Sequence, residues 1–410
     1  MYDLLRGMRV VEAAAFVAAP LCGLHLAQLG AEVIRIDQIG GGPDFRRWPL
    51  SPDTGASLYW EGLNKAKKSV ALNLSVPEGR ELAVRIATAR GDNAGLFVSN
   101  YPLNGFLGYE HLSRLREDLI CVRIMGWPDG RPALDYTVNC AVGIPLITGP
   151  EEGHTPVNHV LPAWDLAAGA YAAFTLLAAE RDRRITGRGR EIRVPLSDLA
   201  IASLSHLGQV GEVQVWGHDR QRHGNELYGA FGRDFLTSDG KRLMVVAITP
   251  RQWSGLVTVL DLQSEIGRIE SELGVNFAKD EGLRFTHRKR LIPIFENAFA
   301  ARHANELTAA FELNSVCWGS YQTLKEALGT NPYFSSNNPL LTDIDHPSGH
   351  RYLTAGFGAT LPTDIRHAAT AAPSLGRDTD QVLGDILGLS AGEIGRLHDA
   401  GVTAGIRGSS

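Results

Sequence analysis

Apolar runs alternate with amphipathic stretches through the first half of the chain. Met8 to Val11 reads as a strand, Ala19 to Leu29 as an amphipathic helix closed by Gly30, and Glu32 to Asp37 as a second strand. Such a compact β-α-β unit predicts a parallel sheet. The pattern continues with a strand at Val70 to Leu74. A helix follows from Pro77 to about Ala89, with Ser75 and Glu78 placed as a capping box. Next come a strand at Leu96 to Ser99, a short helix at Tyr109 to Leu115 and a strand at Leu119 to Met125. Asp135 opens an apolar segment that reaches Thr148. Leu166 to Arg184 is apolar nearly all round, turns charged from Glu180 and stops at Gly187, which predicts a long helix buried at its start. A strand at Glu191 to Pro195 and a helix capped by Ser197 and Asp198 complete this half.

The pattern then changes. Val215 to Asn225 is polar, Tyr228 to Ile248 reads as two strands around the turn Ser238-Asp239-Gly240, and Trp253 to Phe311 is mostly helical. A stretch rich in Pro and Gly leads to two C-terminal helices, Thr379 to Leu387 and Ala391 to Ala400. The tail TAGIRGSS reads as disordered. The fold class expected is α/β. A large Rossmann-like parallel-sheet domain spans residues 1–210 and is completed by 375–410, and a smaller α+β domain spans 225–330. Linkers at 211–224 and 331–374 join them.

A chain of 410 residues is long enough for such a division. A net charge of −5 argues against general nucleic-acid binding. The four cysteines form no CxxC pair and read as reduced, buried thiols, which suits a cytoplasmic setting. No HxxH or HExxH is present, so no metal is expected. The first β-α turn, EAAAFVAAP, lacks glycine, so the dinucleotide fingerprint GxGxxG is missing and a nicotinamide or flavin enzyme is disfavoured. MYDLLRGMRVVE has no signal-peptide pattern, and the longest apolar run, Gly169 to Ala179, is too short to span a bilayer. No membrane partner is expected.

Three stretches carry candidate chemistry. Asp165 stands where an irregular segment becomes the long helix, and two readings apply: an N-cap, or a nucleophile held by N–H groups at the edge of a cleft. The glycine-rich loop Ile39 to Pro49 holds Arg46, Arg47 and Trp48, either as a solvated surface loop or as an anion site with an aromatic wall. Lys65, Lys67 and Lys68 precede a strand, either as a solvated face or as a phosphate site beside a parallel sheet.

AAPLCGLHLAQLGAEVIRID, NKAKKS, VPEGREL, DLAAG, TGRGRE, GNELYGAF and LGRDTD follow one another in an order and spacing that resembles the family III CoA transferases. The resemblance covers nearly the whole chain. It implies ring-shaped subunits in an interlocked homodimer, an acyl-CoA substrate, and no cofactor beyond the CoA of that substrate. It also implies that Asp165 is the nucleophile, attacking a thioester to give an aspartyl anhydride and then an aspartyl-CoA thioester. CoA would pass between two carboxylates, and within one dicarboxylate in the reading favoured here. Matching positions put CoA contacts at Ala15, Phe16, Val17, Ala18, Lys67, Asn100 and Tyr101, with Gln38 standing where a relative has an arginine. Trp48 matches an aromatic near the acyl group. The family's glycine-rich lid has its nearest counterpart in GNELYGAFG. Arg47, His159 and Arg233 are candidates for the substrate's free carboxylate. Backbone N–H groups at the start of the Asp165 helix are expected to serve the reaction. Rival readings are an acid-dependent intermolecular transferase, a non-catalytic acyl-CoA-binding protein and an α-methylacyl-CoA racemase. The racemase pattern has a histidine just before the acid matching Asp135, where this chain has Leu134.

Overall fold

The structure, a computed structural model, describes residues 1–102 and 104–405. Its first elements are β1 (Arg9–Ala13), α1 (Ala18–Gln28), β2 (Glu32–Gln38), α2 (Leu58–Leu63), β3 (Lys68–Leu72), α3 (Pro77–Ala87) and β4 (Leu96–Ser99). They continue with α4 (Tyr109–Leu115), β5 (Ile120–Met125), α5 (Asp135–Ala141), α6 (Ile144–Ile147), α7 (Ala163–Thr186), β6 (Arg190–Pro195) and α8 (Leu196–His206). The later strands are β7 (Phe231–Leu236), β8 (Arg242–Ala247), β9 (Cys317–Ser320), β10 (Leu341–Asp345), β11 (Arg351–Ala355) and β12 (Thr403–Ala404).

Contacts divide the chain into two compact units. Met1–Val142, His159–Gly211 and the chain from Pro332 onward form the large one; Gly143–Asn158 and Glu212–Asn331 form the small one. The large unit is built on a sheet of order β12-β3-β2-β1-β4-β5-β6, parallel except where β12 runs against β3. Its strands read as apolar runs because helices cover both faces. One layer packs α1 and α7 on the sheet through Ala19, Cys22, Leu26, Ala172 and Leu176. The other layer uses Leu82 and Ile86 of α3, Leu112 of α4, and Leu383 and Ile394 of the two C-terminal helices. Small residues let α1 and α7 approach closely: a Cβ on Gly169 would lie 2.9 Å from the Ala18 carbonyl oxygen.

This strand order leaves a crevice at the carboxyl ends of β1 and β4, where the chain turns outward in opposite directions. The loops that follow these two strands meet there. The Ala15 N–H donates to Asn100 Oδ1 at 3.1 Å, and Asn100 Nδ2 donates to the Ala15 carbonyl at 2.8 Å.

The small unit has an antiparallel sheet of order β7-β8-β9. Phe231, Phe235, Trp253, Phe295 and Phe299 fill its core, with Phe235 and Phe299 stacked at 4.5 Å.

Several boundaries differ from the sequence reading. Residues 332–374 are not a linker: they cluster with the large unit and contain the β10-β11 hairpin. Ser348, in that hairpin's turn, gives both its N–H and its hydroxyl to Glu61. The apolar stretch after Asp135 breaks at Gly143, whose φ of 86° ends α5 and starts α6, and the units divide at the same point. The N-cap of α3 is Val76, and Ser75 turns to Asn73 instead of closing a capping box. α8 starts at Leu196 with Pro195 as its N-cap, so Ser197 and Asp198 already lie in the first turn. The tail is not wholly irregular, since Thr403 and Ala404 pair with β3; residues 406–410 lie outside the described residues. Cys22 and Cys121 are buried as expected, but Cys140 and Cys317 are exposed.

Candidate active site

A cleft of about 550 Å³ opens at the β1/β4 crevice of the large unit. Phe16, Val17, Asn100, Tyr101 and Asp165 all line it. Its floor is set by the turn after β1. Phe16 adopts a left-handed φ of 67°, a conformation that a bulky residue takes only when its surroundings hold it. The Phe16 N–H donates to Asp44 Oδ2 at 3.1 Å. α1 then starts with no side-chain cap, leaving the positive end of its dipole at the cleft, where Ala18 is a lining residue. Arg123, buried within β5, shapes the loop after β4 by donating to the Tyr101, Pro102 and Leu107 carbonyls at 2.6, 3.2 and 3.1 Å. Arg131 is the exposed cation of the cleft and pairs with Asp129.

Asp165 is the third residue of α7 and partly buried. It is not an N-cap. Asp135 Oδ2, from α5, accepts the N–H groups of Trp164 at 2.6 Å and Asp165 at 3.1 Å. The other oxygen of Asp135 is held by His159 Nε2. The helix-start N–H groups expected to serve the reaction are therefore occupied by a second carboxylate. Among the described residues, no group donates a hydrogen bond to the Asp165 side chain. Burial and the neighbouring Asp135 push its carboxyl up to about 6, against the pull of the Arg47 guanidinium.

Arg47 lies 5.6 Å from the Phe16 ring and 5.5 Å from the Tyr59 ring. No carboxylate pairs with it among the described residues. The Tyr59 hydroxyl is buried and lacks a well-formed hydrogen bond, with Arg47 and Asp165 as charged neighbours.

The structure brings Ala15, Phe16, Val17, Ala18, Asn100, Tyr101, Arg47 and Asp165 into one neighbourhood. Trp48 is 78% exposed in the large unit. His159 is engaged with Asp135, which removes it from the list of free cations. Arg233 belongs to the small unit, where Glu226 and Glu296 lie 3.7 and 3.6 Å away, and GNELYGAFG lies in that unit too.

Lys67 corrects the expectation of a phosphate contact. Its ammonium is fully buried and donates to Glu12 at 2.8 Å, to the Pro20 carbonyl at 2.7 Å and to Asn64 at 3.0 Å. Lys65 donates to the Ala355 carbonyl and Lys68 pairs with Glu32, so the three lysines form no solvated cluster. Asp44, Tyr59 and Arg123 were missed, since nothing in their local sequence marks them. Asp135 stood out only as the residue after Leu134.

A sheet of Rossmann order thus carries, at the cleft beside its switch point, a carboxylate with no hydrogen-bond donor among the described residues. The model of CoA-transferase family III matches residues 5–379, and the chain belongs to that family. It is 46% identical over 405 residues, 99% of each chain, to the 2-methylfumaryl-CoA isomerase of Chloroflexus aurantiacus. It is 29% identical over 414 residues to the human succinyl-CoA:glutarate CoA-transferase, covering 97% of this chain and 89% of that one. Among solved structures, a CAIB/BAIF family protein from Brucella suis shares the fold with a TM-score of 0.75 at 23% identity, covering 94% of this chain and all of that one. The chain is an enzyme of the CoA-transferase and isomerase type. Among the described residues, no helix is long and apolar enough to cross a membrane.

Proposed function

We propose that the chain moves CoA within one dicarboxylate, converting 2-methylfumaryl-CoA to 3-methylfumaryl-CoA with Asp165 as the nucleophile. The observation that carries this reading is the Asp165 carboxylate at the cleft, which among the described residues accepts no hydrogen bond and has as its cationic neighbour Arg47, itself in no carboxylate pair there. The likeness to the Chloroflexus isomerase supports the choice of substrate.

Asp165 attacks the C1 thioester carbonyl; the C–S bond breaks, and a mixed anhydride and the CoA thiolate result. The thiolate attacks the Asp165 carbonyl, releasing the dicarboxylate and leaving an aspartyl-CoA thioester. The C4 carboxylate attacks that thioester, and the same steps run back to product and free Asp165. One thioester replaces another, so no energy source is consumed. Ala15 to Ala18, Asn100 and Tyr101 hold the CoA, with the start of α1 favouring its phosphates. Arg47 holds the carboxylate that is not reacting, Trp48 walls the acyl group, and the chain works as a homodimer. Exposed apolar residues on α7 and α8, among them Tyr171, Phe174 and Ile201, and Leu207 just after α8 support such an assembly. In this reading the enzyme is cytoplasmic and serves the 3-hydroxypropionate cycle of carbon fixation.

The test is conversion of synthetic 2-methylfumaryl-CoA, in deuterium oxide, beside excess carbon-13-labelled free mesaconate. The expected product is unlabelled 3-methylfumaryl-CoA that carries no enzyme-dependent deuterium. Label entering in proportion to the free acid would establish an intermolecular transferase. Deuterium at an α-carbon would favour the racemase reading instead.

A further inference from the structure

An acid at the third position of a helix ordinarily turns back to the N-cap N–H, closing a capping box. That route is shut here, because the N-cap of α7 is Pro162, which has no N–H. The remaining donors of the first turn are also accounted for. The Ala163 N–H goes to the Leu161 carbonyl at 2.8 Å, and the Leu166 N–H to the Pro162 carbonyl at 2.9 Å. Between them, the Trp164 and Asp165 N–H groups both point to Asp135 Oδ2. Asp135 is 1% exposed and sits in the first turn of α5. It performs the capping that the N-cap proline, with no polar side chain, does not.

We propose that Asp135 is a positioning residue: it occupies the helix-start donors so that the Asp165 carboxylate stays unsolvated by N–H groups and faces the cleft as a bare nucleophile. This inference rests on the reading of Asp165 as the nucleophile.

A carboxylate that accepts backbone N–H bonds is stabilised in its charged form, and so becomes both more acidic and less nucleophilic. Giving those bonds to a second acid removes that stabilisation. The second acid's own charge, close by, acts in the same direction. The groups that face Asp165 are Asp135 from α5, Arg47 from the loop before α2, and Tyr59 from α2. His159 stands behind Asp135 and fixes its second oxygen. Burial and Asp135 outweigh Arg47, and the carboxyl is held near 6. At pH 7 such a group is about nine-tenths ionised yet markedly more basic than an ordinary aspartate, the compromise a nucleophile needs.

Asp135→Asn keeps an acceptor oxygen for the two N–H groups and removes the charge; Asp135→Ala removes both. Two readouts apply to the full-length protein. The first is titration of the Asp165 carboxyl by carbon-13 NMR of aspartate-labelled protein, its resonance identified by loss in Asp165→Asn. The second is the pH profile of kcat/KM on 2-methylfumaryl-CoA. In the wild type, Asp165 titrates well above the ordinary aspartate range. In Asp135→Asn both the NMR midpoint and the acid limb fall by about one pH unit, and in Asp135→Ala they fall further. kcat falls at least tenfold while KM changes less. A wild-type Asp165 titrating as an ordinary aspartate overturns the proposal even if neither variant folds. So does a folded Asp135→Asn whose midpoint and acid limb match the wild type. Absence of CoA transfer by the wild type would defeat the proposed function alone, because the NMR titration needs no turnover.

Discussion

Asp165→Asn should abolish turnover and stabilise the fold. The ionised carboxylate is partly buried, has no hydrogen-bond donor among the described residues and faces Asp135, so the folded protein holds its carboxyl up to about 6. The unfolded chain releases that proton near the ordinary aspartate value of about 4. Between these two values the folded state binds more protons than the unfolded state, so stability falls as pH rises through the window. The penalty is absent below pH ~4, grows to pH ~6 and is complete above it. A displacement of roughly two pH units at 1.36 kcal/mol each sets an upper bound of about 3 kcal/mol. Partial exposure of the group to solvent reduces this to about 1–2 kcal/mol. The amide carries no charge and escapes the penalty. Urea unfolding of both proteins at pH 8 and near pH 4.5 checks this. The variant should be more stable by about 1–2 kcal/mol at pH 8, and most of that advantage should vanish at the lower pH. Turnover should fall far more than tenfold, the equivalent of ~1.4 kcal/mol of barrier. A variant less stable than wild type at pH 8, or an advantage independent of pH, would refute the electrostatic account of the site.

Lys67→Met removes the ammonium that faces Glu12 in the interior, and should destabilise the fold by about 3 kcal/mol, at the low end for a broken buried pair because Arg35 still faces Glu12. CoA affinity of the folded protein, read by titration calorimetry, should change less than about threefold; a weak CoA complex in a fully stable variant would restore the phosphate contact instead. Arg47→Gln should weaken binding of 2-methylfumaryl-CoA by ten- to a hundredfold, the loss of a charge-assisted hydrogen bond of about 1.5–3 kcal/mol. It should leave crotonyl-CoA, which has no second carboxylate, nearly unaffected in a competition assay; equal losses for both ligands would assign Arg47 to the CoA moiety.

The parts of the fold legible in the sequence are those whose burial is one-sided or total. β1, β4 and β5 are covered on both faces and read as plain apolar runs. α7 is recognisable because its small-residue face must lie against α1. β9, with the sequence CWGS, and the β10-β11 hairpin, with LTDID and RYLTA, are half exposed, so neither period nor composition marks them. Asp165 was visible as a charge at the start of an apolar helix. Its capping alternative failed for a reason that is partly local, the proline at the N-cap, and partly distant, an acid thirty residues earlier in the chain. The lysine trio misled because a sequence shows a row of like charges without the Glu12, Glu32 and Ala355 partners that the fold brings to them.

Those partners also explain why so much charge is buried beneath a site that handles an acyl-CoA. Glu12, at the end of β1, faces both Lys67 and Arg35, and it can lie against α1 only because Gly23 has no side chain: a Cβ there would come within 1.9 Å of the Glu12 carboxylate. Arg35 in turn holds Asp37 at 2.7 Å and Asp44 at 3.1 Å. Asp44 then accepts the Phe16 N–H, and the next turn of its loop carries Arg47 over the Phe16 ring. Removing several charges from water is expensive, and such a cluster adds little net stability compared with an apolar core. What it supplies is a fixed geometry. A hydrophobic core tolerates small slides, but a guanidinium shared by three carboxylates does not. The network therefore ties the strained turn after β1, the start of α1 and the Arg47 loop to the rigid edge of the sheet. Under the proposed function, the backbone assigned to CoA and the cation assigned to the free carboxylate are thereby held at one fixed spacing from Asp165, as a reaction between two ends of one small acid would require.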